Sequence, residues 1–241
     1  MTTSFARQQG RALVADPRHG PLPLLLLALT AVTGLVDAVS ILRLGRVFVA
    51  NMTGNVMFTA FALAKAPGFA LVTSLLALAG FLVGAGLGGG LSTRLGHDRA
   101  RLLLAAVGAE LVLMLAGLGL TIGTSTLSAA GRDILAVLLA VALGIQNAAA
   151  RRLAVPDLTT TVLTMTLTGL AADTRASGTW PTAIRRLLSV ATMLIGGIVG
   201  ALLVLHSSTA AALSVAAGLL LFVVTSAVAS TRRPAPWHTG S

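Results

Sequence analysis

Long apolar runs separated by short charged stretches dominate this chain. A helix needs about 20 apolar residues to cross the hydrocarbon core of a bilayer. Windows such as 69–91, 187–205 and 209–230 have that length and contain no Asp, Glu, Lys or Arg. The pattern predicts six full membrane spans: 22–42, 69–91, 102–122, 134–150, 187–205 and 209–230.

Two further stretches, 47–64 and 158–172, are apolar but rich in Asn and Thr. Each either crosses the membrane, giving eight spans, or forms a broken or re-entrant segment. A β-barrel would show short alternating strands instead, and other backbones could not satisfy their polar groups in lipid. The predicted fold class is therefore all-α, a polytopic transmembrane helical bundle.

Composition excludes a water-soluble domain, because 56% of the 241 residues are hydrophobic, 10% are charged and the mean hydropathy is +0.93. The net charge of +10 forms no long basic patch, so nucleic acid is not an expected partner. The chain has no Cys, its four His are scattered, and GxSxG, P-loop, HExxH and dinucleotide motifs are absent. We therefore predict no enzymatic activity, no cofactor and no metal site.

Similar strings recur in order along the chain and indicate a duplicated unit. Gly34-Leu-Val-Asp-Ala resembles Gly144-Ile-Gln-Asn-Ala, and a GxxxG pair occurs at corresponding points of the two halves, as Gly84 with Gly88 and Gly196 with Gly200. The predicted organisation is an N-terminal tail (1–21), two membrane repeats (22–122 and 132–230) joined by a linker (123–131), and a C-terminal tail (231–241). Chance similarity between Gly-rich and Leu-rich helices is the alternative.

Basic residues discriminate between the two span counts. With the N-terminus and its three arginines in the cytoplasm, eight spans place 10 basic residues inside and 7 outside, whereas six spans place 13 inside and 4 outside. Cytoplasmic loops are enriched in Lys and Arg, so six spans and cytoplasmic tails are preferred. Three spans per repeat would invert one half relative to the other, as in many transporters.

Intramembrane carboxyl groups are the first candidates for function, because they are costly in lipid and normally face a cavity or a partner. Glu110 is the one charged residue of 102–122 and is our strongest candidate for proton coupling; a structural, neutral acid is the alternative. Asp37, with Ser40 close by, corresponds to Asn147 beside Gln146 in the other half. This pair is predicted to contact a cation, proton or polar solute; pairing of Asp37 with nearby arginines is the alternative.

The two polar stretches supply the remaining pathway candidates. Hydroxyl and amide groups on an unwound segment could coordinate a solute, although Thr in membrane helices more often packs against neighbouring helices. The candidates are Asn51, Thr53 and Asn55 in the first stretch and Thr161, Thr164 and Thr168 in the second. The four GxxxG glycines are assigned to helix packing, within one chain or in a homo-oligomer.

Three strings carry a resemblance to a known family: 34–40 (GLVDAVS), 48–55 (FVANMTGN) and Gln146-Asn147 followed by 155–169 (VPDLTTTVLTMTLTG). They resemble the YoaK family of bacterial inner-membrane proteins, catalogued as a domain of unknown function, over about residues 22–230. The resemblance implies a multi-pass protein of the bacterial inner membrane, with no implied substrate.

Two hypotheses follow from these observations. The first is a transporter or channel for an unknown small solute or ion, with the polar residues of both repeats lining the pathway in the lipid bilayer. The second is a non-transporting membrane module, such as a sensor or an accessory subunit. Polar residues gathered at one interior site favour the first, and a polar face exposed on the bundle surface favours the second.

Overall fold

The computed structural model describes residues 19–124, 126–155, 163–173, 180–232 and 236–238. Its long elements are all helices, numbered here in chain order. They are α1 (Leu22–Arg43), α2 (Met52–Leu63), α3 (Leu71–Leu95), α4 (Arg99–Thr121), α5 (Ala129–Leu153), α6 (Leu163–Asp173), α7 (Trp180–His206) and α8 (Thr209–Thr231), followed by a short 3-10 helix at Pro236–His238.

Six of these helices are long and apolar enough to cross a bilayer, which confirms the predicted all-α membrane fold with six spans. Helix α2 has 12 residues and α6 has 11, or about 18 Å and 16 Å at 1.5 Å per residue. Within the described residues both are too short for a hydrocarbon core of about 30 Å, so the described part of the chain favours six spans over eight.

The ends of the helices follow from local sequence. A proline in the first turn of α1 occupies a position where no backbone donor is needed. Asn51, Asp98, Ser128 and Ser208 cap α2, α4, α5 and α8 by accepting a hydrogen bond from a first-turn N–H. Helix α5 continues beyond the predicted 134–150 run at both ends, so that its charged residues form polar ends on a longer helix.

Helices α1 and α5 form the centre of the bundle. Of their most apolar 18-residue windows, 67% and 61% are buried, compared with 22% for α7. Helix α1 packs mainly on α7, and α5 packs mainly on α3. Helices α4 and α8 contact each other; α4 also packs on α5, and α8 also packs on α1. The outer faces of α3, α4, α7 and α8 carry exposed Leu, Ile and Val, as expected for lipid-facing surfaces.

Residues 44–51 do not continue outward from the end of α1. They turn back along it, and the N–H groups of Val49 and Ala50 approach the carboxyl group of Asp37. Asp37 lies six residues before the end of α1, or about 9 Å along its axis. We call residues 44–51 the re-entrant segment, and α2 follows it. The first polar stretch is described over its whole length, whereas part of the second lies outside the described residues.

Candidate functional site

Asp37 holds the re-entrant segment against α1. Its Oδ1 atom accepts hydrogen bonds from the N–H groups of Val49 (3.4 Å) and Ala50 (3.3 Å), and the side chain is buried. Arg43 instead donates to the carbonyl of Val204 at 2.7 Å, and Arg46 lies over the ring of Phe69. The contacts of Asp37 are therefore with backbone donors, an arrangement that neither sequence alternative anticipated.

Asn55 fixes the same segment from its other side. Its Oδ1 accepts from the Phe48 N–H at 2.8 Å, while its Nδ2 donates to the Phe48 carbonyl at 2.6 Å. The side chain is fully buried. Asp37 and Asn55 together satisfy three N–H groups and one carbonyl of an extended stretch that has no strand partner within the described residues. These hydrogen bonds stabilise the fold of the re-entrant segment.

The Asp37 contacts predict different results for two substitutions. Asp37→Asn retains an oxygen acceptor, so we expect its free energy of unfolding to stay within about 1 kcal/mol of the parent protein. Asp37→Leu leaves two N–H groups unsatisfied and should lose roughly 2 kcal/mol or more. Equilibrium unfolding in mixed detergent micelles measures both values, and equal stability of the two variants would contradict the assigned contacts.

Glu110 and Gln146 meet in the centre of the bundle. Glu110 lies on α4 and is fully buried, and Gln146 lies on α5 with 1% of its surface exposed. One end of the Gln146 amide is 2.8 and 3.2 Å from the two Glu110 oxygens, and the other end is 3.0 Å from the Thr33 hydroxyl of α1. Three helices thus contribute to one polar cluster, which we call the Glu110 cluster.

The Glu110 cluster has two complete hydrogen-bond arrangements, because an amide can present either its nitrogen or its oxygen to the same neighbour. With nitrogen toward Glu110, Gln146 donates to both oxygens, which suits a carboxylate, and Thr33 donates to the Gln146 oxygen. With oxygen toward Glu110, the carboxyl group must carry a proton, Gln146 donates to Thr33, and Thr33 donates to the Leu29 carbonyl at 3.0 Å. Each protonation state of Glu110 therefore has a matching arrangement.

Thr33 was not among the residues singled out from the sequence. Its hydroxyl precedes Asp37 by four residues, so the two side chains lie one turn apart on α1. The re-entrant segment and the Glu110 cluster are consequently neighbours on one helix. A Thr among leucines is common in membrane helices and usually bonds to its own preceding turn, so the sequence offered no strong signal for it.

The remaining pathway candidates are more scattered. Ser40 donates to the Asp37 backbone carbonyl at 3.0 Å, Asn51 is an exposed cap whose Oδ1 accepts from Gly54, and Thr53 is exposed. Asn147 is half-buried, and its amide donates to the Leu143 carbonyl at 2.8 Å. On the second polar stretch, Thr164 and Thr168 are exposed, and Thr161 lies outside the described residues.

The four GxxxG glycines lie where two helices approach each other closely. A Cβ atom on Gly84 would collide with the Val141 carbonyl, and one on Gly88 would lie 2.8 Å from the Ile145 carbonyl, both on α5. A Cβ on Gly196 would collide with the Ala31 carbonyl, and one on Gly200 would lie 2.7 Å from the Leu35 carbonyl, both on α1. These contacts allow the peripheral helices to approach the central pair.

Comparison with known proteins finds a matching family model and a related transmembrane protein. The family model described as "Protein of unknown function (DUF1275)" matches residues 25–226. The UPF0700 transmembrane protein YoaK of Bacillus subtilis (strain 168) is 36% identical over 149 residues, which cover 61% of this chain and 64% of that relative. No solved structure matches the chain.

Proposed function

This chain belongs to the DUF1275 family, and we propose that it is a small-solute or ion transporter in which Glu110 binds the coupled proton. The observation that carries this proposal is the Glu110 cluster, where a fully buried carboxyl group contacts a Gln that can serve either of its protonation states. A proton arriving at or leaving Glu110 would reverse the Gln146 amide and change its bond to Thr33. Protonation would thereby act on three helices at once.

Among the described residues, Glu110 makes no ion pair with a basic side chain. The helices packed against α4 are α3, α5, α8 and the short 3-10 helix. Helix α8 has no charged residue, the basic residues of α3 and α5 lie near their ends, and the 3-10 helix contributes His238. A carboxyl group placed in a membrane span without a basic partner is costly, and such groups commonly serve ion or proton pathways.

The arrangement of helices supports transport independently. If the halves are inverted copies, α1 corresponds to α5 and α3 to α7, so the α1–α7 and α5–α3 contacts are equivalent. Glycine approaches occur in both, through Gly196 and Gly200 on α7 and through Gly84 and Gly88 on α3. Inverted repeats that move around a central site are the usual basis of alternating access. We also propose that the protein lies in the bacterial inner membrane with its N-terminus in the cytoplasm, which the family resemblance and the distribution of basic residues support.

Solvent access to the Glu110 cluster tests the proposal directly, and the absence of native Cys simplifies the experiment. Thr33→Cys and Gln146→Cys should react with a membrane-impermeant thiol reagent added to one side of sealed vesicles. Leu139→Cys, a fully buried apolar position on α5, is the matched control and should stay protected. Protection of all three from both sides would exclude an aqueous route to the cluster.

Proton movement is the second test. In proteoliposomes containing a trapped pH-sensitive dye, a solute that is carried with protons should change the internal pH. Glu110→Gln, which preserves size and hydrogen bonding but cannot bind a proton reversibly, should reduce this signal to that of protein-free vesicles. Asp37→Asn should retain the signal, because the Asp37 side chain holds the re-entrant segment and does not bind the coupled proton. Equal signals from Glu110→Gln and the parent protein would remove Glu110 from the mechanism.

One observation favours a second candidate function, a non-transporting module that binds another membrane protein. Thr164 and Thr168 form an exposed polar strip on α6, which packs on α7. Exposed hydroxyl groups on a helix of a membrane protein can form hydrogen bonds with a partner helix. If the Glu110 cluster proves inaccessible, cross-linking from Thr164→Cys becomes the informative experiment, and a cross-link to a second protein would support this function.

A further inference from the structure

Three arginines surround two adjoining cavities at the end of the bundle where α1 ends. The cavities have volumes of about 240 and 570 Å³, and both are lined by Leu42, Arg43 and Arg132. Arg46 lines the larger one, beside Phe69, and threonines line the smaller one. Together they have the size of ordinary small-molecule sites. We call this pair of cavities the arginine vestibule.

The arginine vestibule has a strong excess of positive charge. No Asp or Glu lines either cavity. The nearest acid in sequence, Asp133, lines a neighbouring cavity together with Arg132, and its Oδ1 accepts a hydrogen bond from Thr73 at 2.6 Å. Asp98, which pairs with Arg101 at 3.2 Å, precedes α4, at the opposite end of that helix from the vestibule residue Thr121. Among the described residues that line the two cavities, three are arginines and none is acidic, while Asp133 borders Arg132 in the neighbouring cavity.

Two of the guanidinium groups are held in position. Arg43 is fixed by its 2.7 Å bond to the Val204 carbonyl, and Arg46 stacks with its Cζ 5.8 Å from the centre of the Phe69 ring. Gly68, with φ of +85°, leaves space for Arg46, because a Cβ there would lie 3.1 Å from its Nη1 atom. Donors held in this way lose less side-chain entropy when they bind a ligand.

Membrane topology makes this cluster unusual. In the six-span arrangement only 4 of the 17 basic residues lie at this end of the bundle, and the vestibule holds three of them. Residues that only anchor helices at headgroups would be expected to spread around the rim of the bundle rather than converge on shared cavities. Convergence of arginines on cavities that no described acidic residue lines is typical of an anion site.

We infer that Arg43, Arg46 and Arg132 form a binding site for a phosphate-bearing anion. Guanidinium groups bind phosphate oxygens through paired, charge-assisted hydrogen bonds, and three of them can surround one tetrahedral group. The anion is either a phosphate-bearing solute or the phosphate of a lipid headgroup. This inference goes beyond the proposed transport, since equilibrium binding at the vestibule requires neither Glu110 nor any movement of solute.

Inorganic phosphate is the probe for the first source. Isothermal titration of the purified protein in a neutral detergent, at fixed ionic strength, should show saturable binding to the parent protein. Arg132→Gln should weaken this binding by about tenfold or more, given the strength of charge-assisted bonds. Arg132→Lys, which keeps the charge but loses the paired geometry, should fall between the two. Arg94→Gln, an exposed position near the end of α3, should bind like the parent protein.

Retained lipid is the probe for the second source. Native mass spectrometry after exchange into phosphatidylglycerol should detect bound lipid that Arg132→Gln loses and Arg94→Gln keeps, if the headgroup is the ligand. Phosphate binding or lipid retention with this dependence on Arg132 supports the site and identifies its source. The inference is overturned if neither ligand binds, or if Arg94→Gln and Arg132→Gln behave alike. Glu110→Gln should bind phosphate normally, so this result is separable from failure of the transport proposal.

Discussion

Gly144→Val should lose about 3 kcal/mol or more of folding stability, the largest effect that we expect from a single substitution in this chain. Gly144 lies on α5 against α3, and a Cβ atom there would collide with the Phe81 carbonyl and lie 2.8 Å from the Ala85 nitrogen. Both obstacles are backbone atoms of a regular helix, so a rotamer change cannot relieve the clash. The helices would have to separate, which would also disturb the reciprocal contact of Gly84 with Val141.

Unfolding of the purified protein by sodium dodecyl sulfate in mixed micelles, followed by circular dichroism, gives the required free energies. Gly108→Val is the matched control, because a Cβ on Gly108 of α4 meets nothing within 4 Å. The control should remain close to the parent protein in stability. If Gly144→Val were as stable as Gly108→Val, the close approach of α3 and α5 would be incorrect.

Asn55→Leu should have the second largest effect, a loss of about 2 kcal/mol or more. Leucine matches Asn approximately in size but leaves the N–H and the carbonyl of Phe48 without their partner. Both groups belong to a buried stretch, where an unsatisfied polar group costs about 1–3 kcal/mol each. The re-entrant segment should consequently detach from α1 before the rest of the bundle unfolds.

Hydrogen exchange is the most informative measurement for this variant, because it can report residues 48–50 separately from the spans. Faster exchange there, with unchanged exchange in α4 and α5, is the expected result. Asn51→Ala provides the control, since Asn51 is an exposed cap and its loss should cost about 1 kcal/mol. Uniformly faster exchange throughout the protein would instead mean that Asn55 stabilises the whole bundle.

Much of the fold could be predicted because hydropathy alone identifies a membrane-spanning helix. The predicted span 102–122 corresponds to Arg99–Thr121, and 209–230 corresponds to Thr209–Thr231. The first polar stretch could not be assigned in the same way, because its residues are apolar enough to span. Its path depends on hydrogen bonds between backbone groups and the side chains of Asp37 and Asn55, which a hydropathy pattern cannot predict.

The candidate site was predictable only in part. Glu110 and Gln146 were both singled out from the sequence, for separate reasons, and the structure brings them together. Their contact depends on the packing of α4 against α5, and no local pattern reveals which helix faces which. Thr33 was not predicted, because its contact with Gln146 likewise depends on how α1 packs against α5. Arg43, Arg46 and Arg132 were counted only for topology, because three arginines separated by up to 89 positions in sequence give no sign of a shared cavity.

The packing of α1 on α7 has a consequence for synthesis of the protein. The Gly34 surface of α1 is completed by Met193 and Gly197, more than 150 residues later in the chain. At about 5–20 residues per second, the ribosome needs roughly 10–30 seconds to produce that partner. During this interval α1, the most buried span of the folded protein, lies in the membrane without α7. Its Thr and Asp side chains then contact lipid, the insertion machinery or a temporary partner. We therefore expect the yield of folded protein to depend on how long α1 remains correctly inserted before α7 has been synthesised.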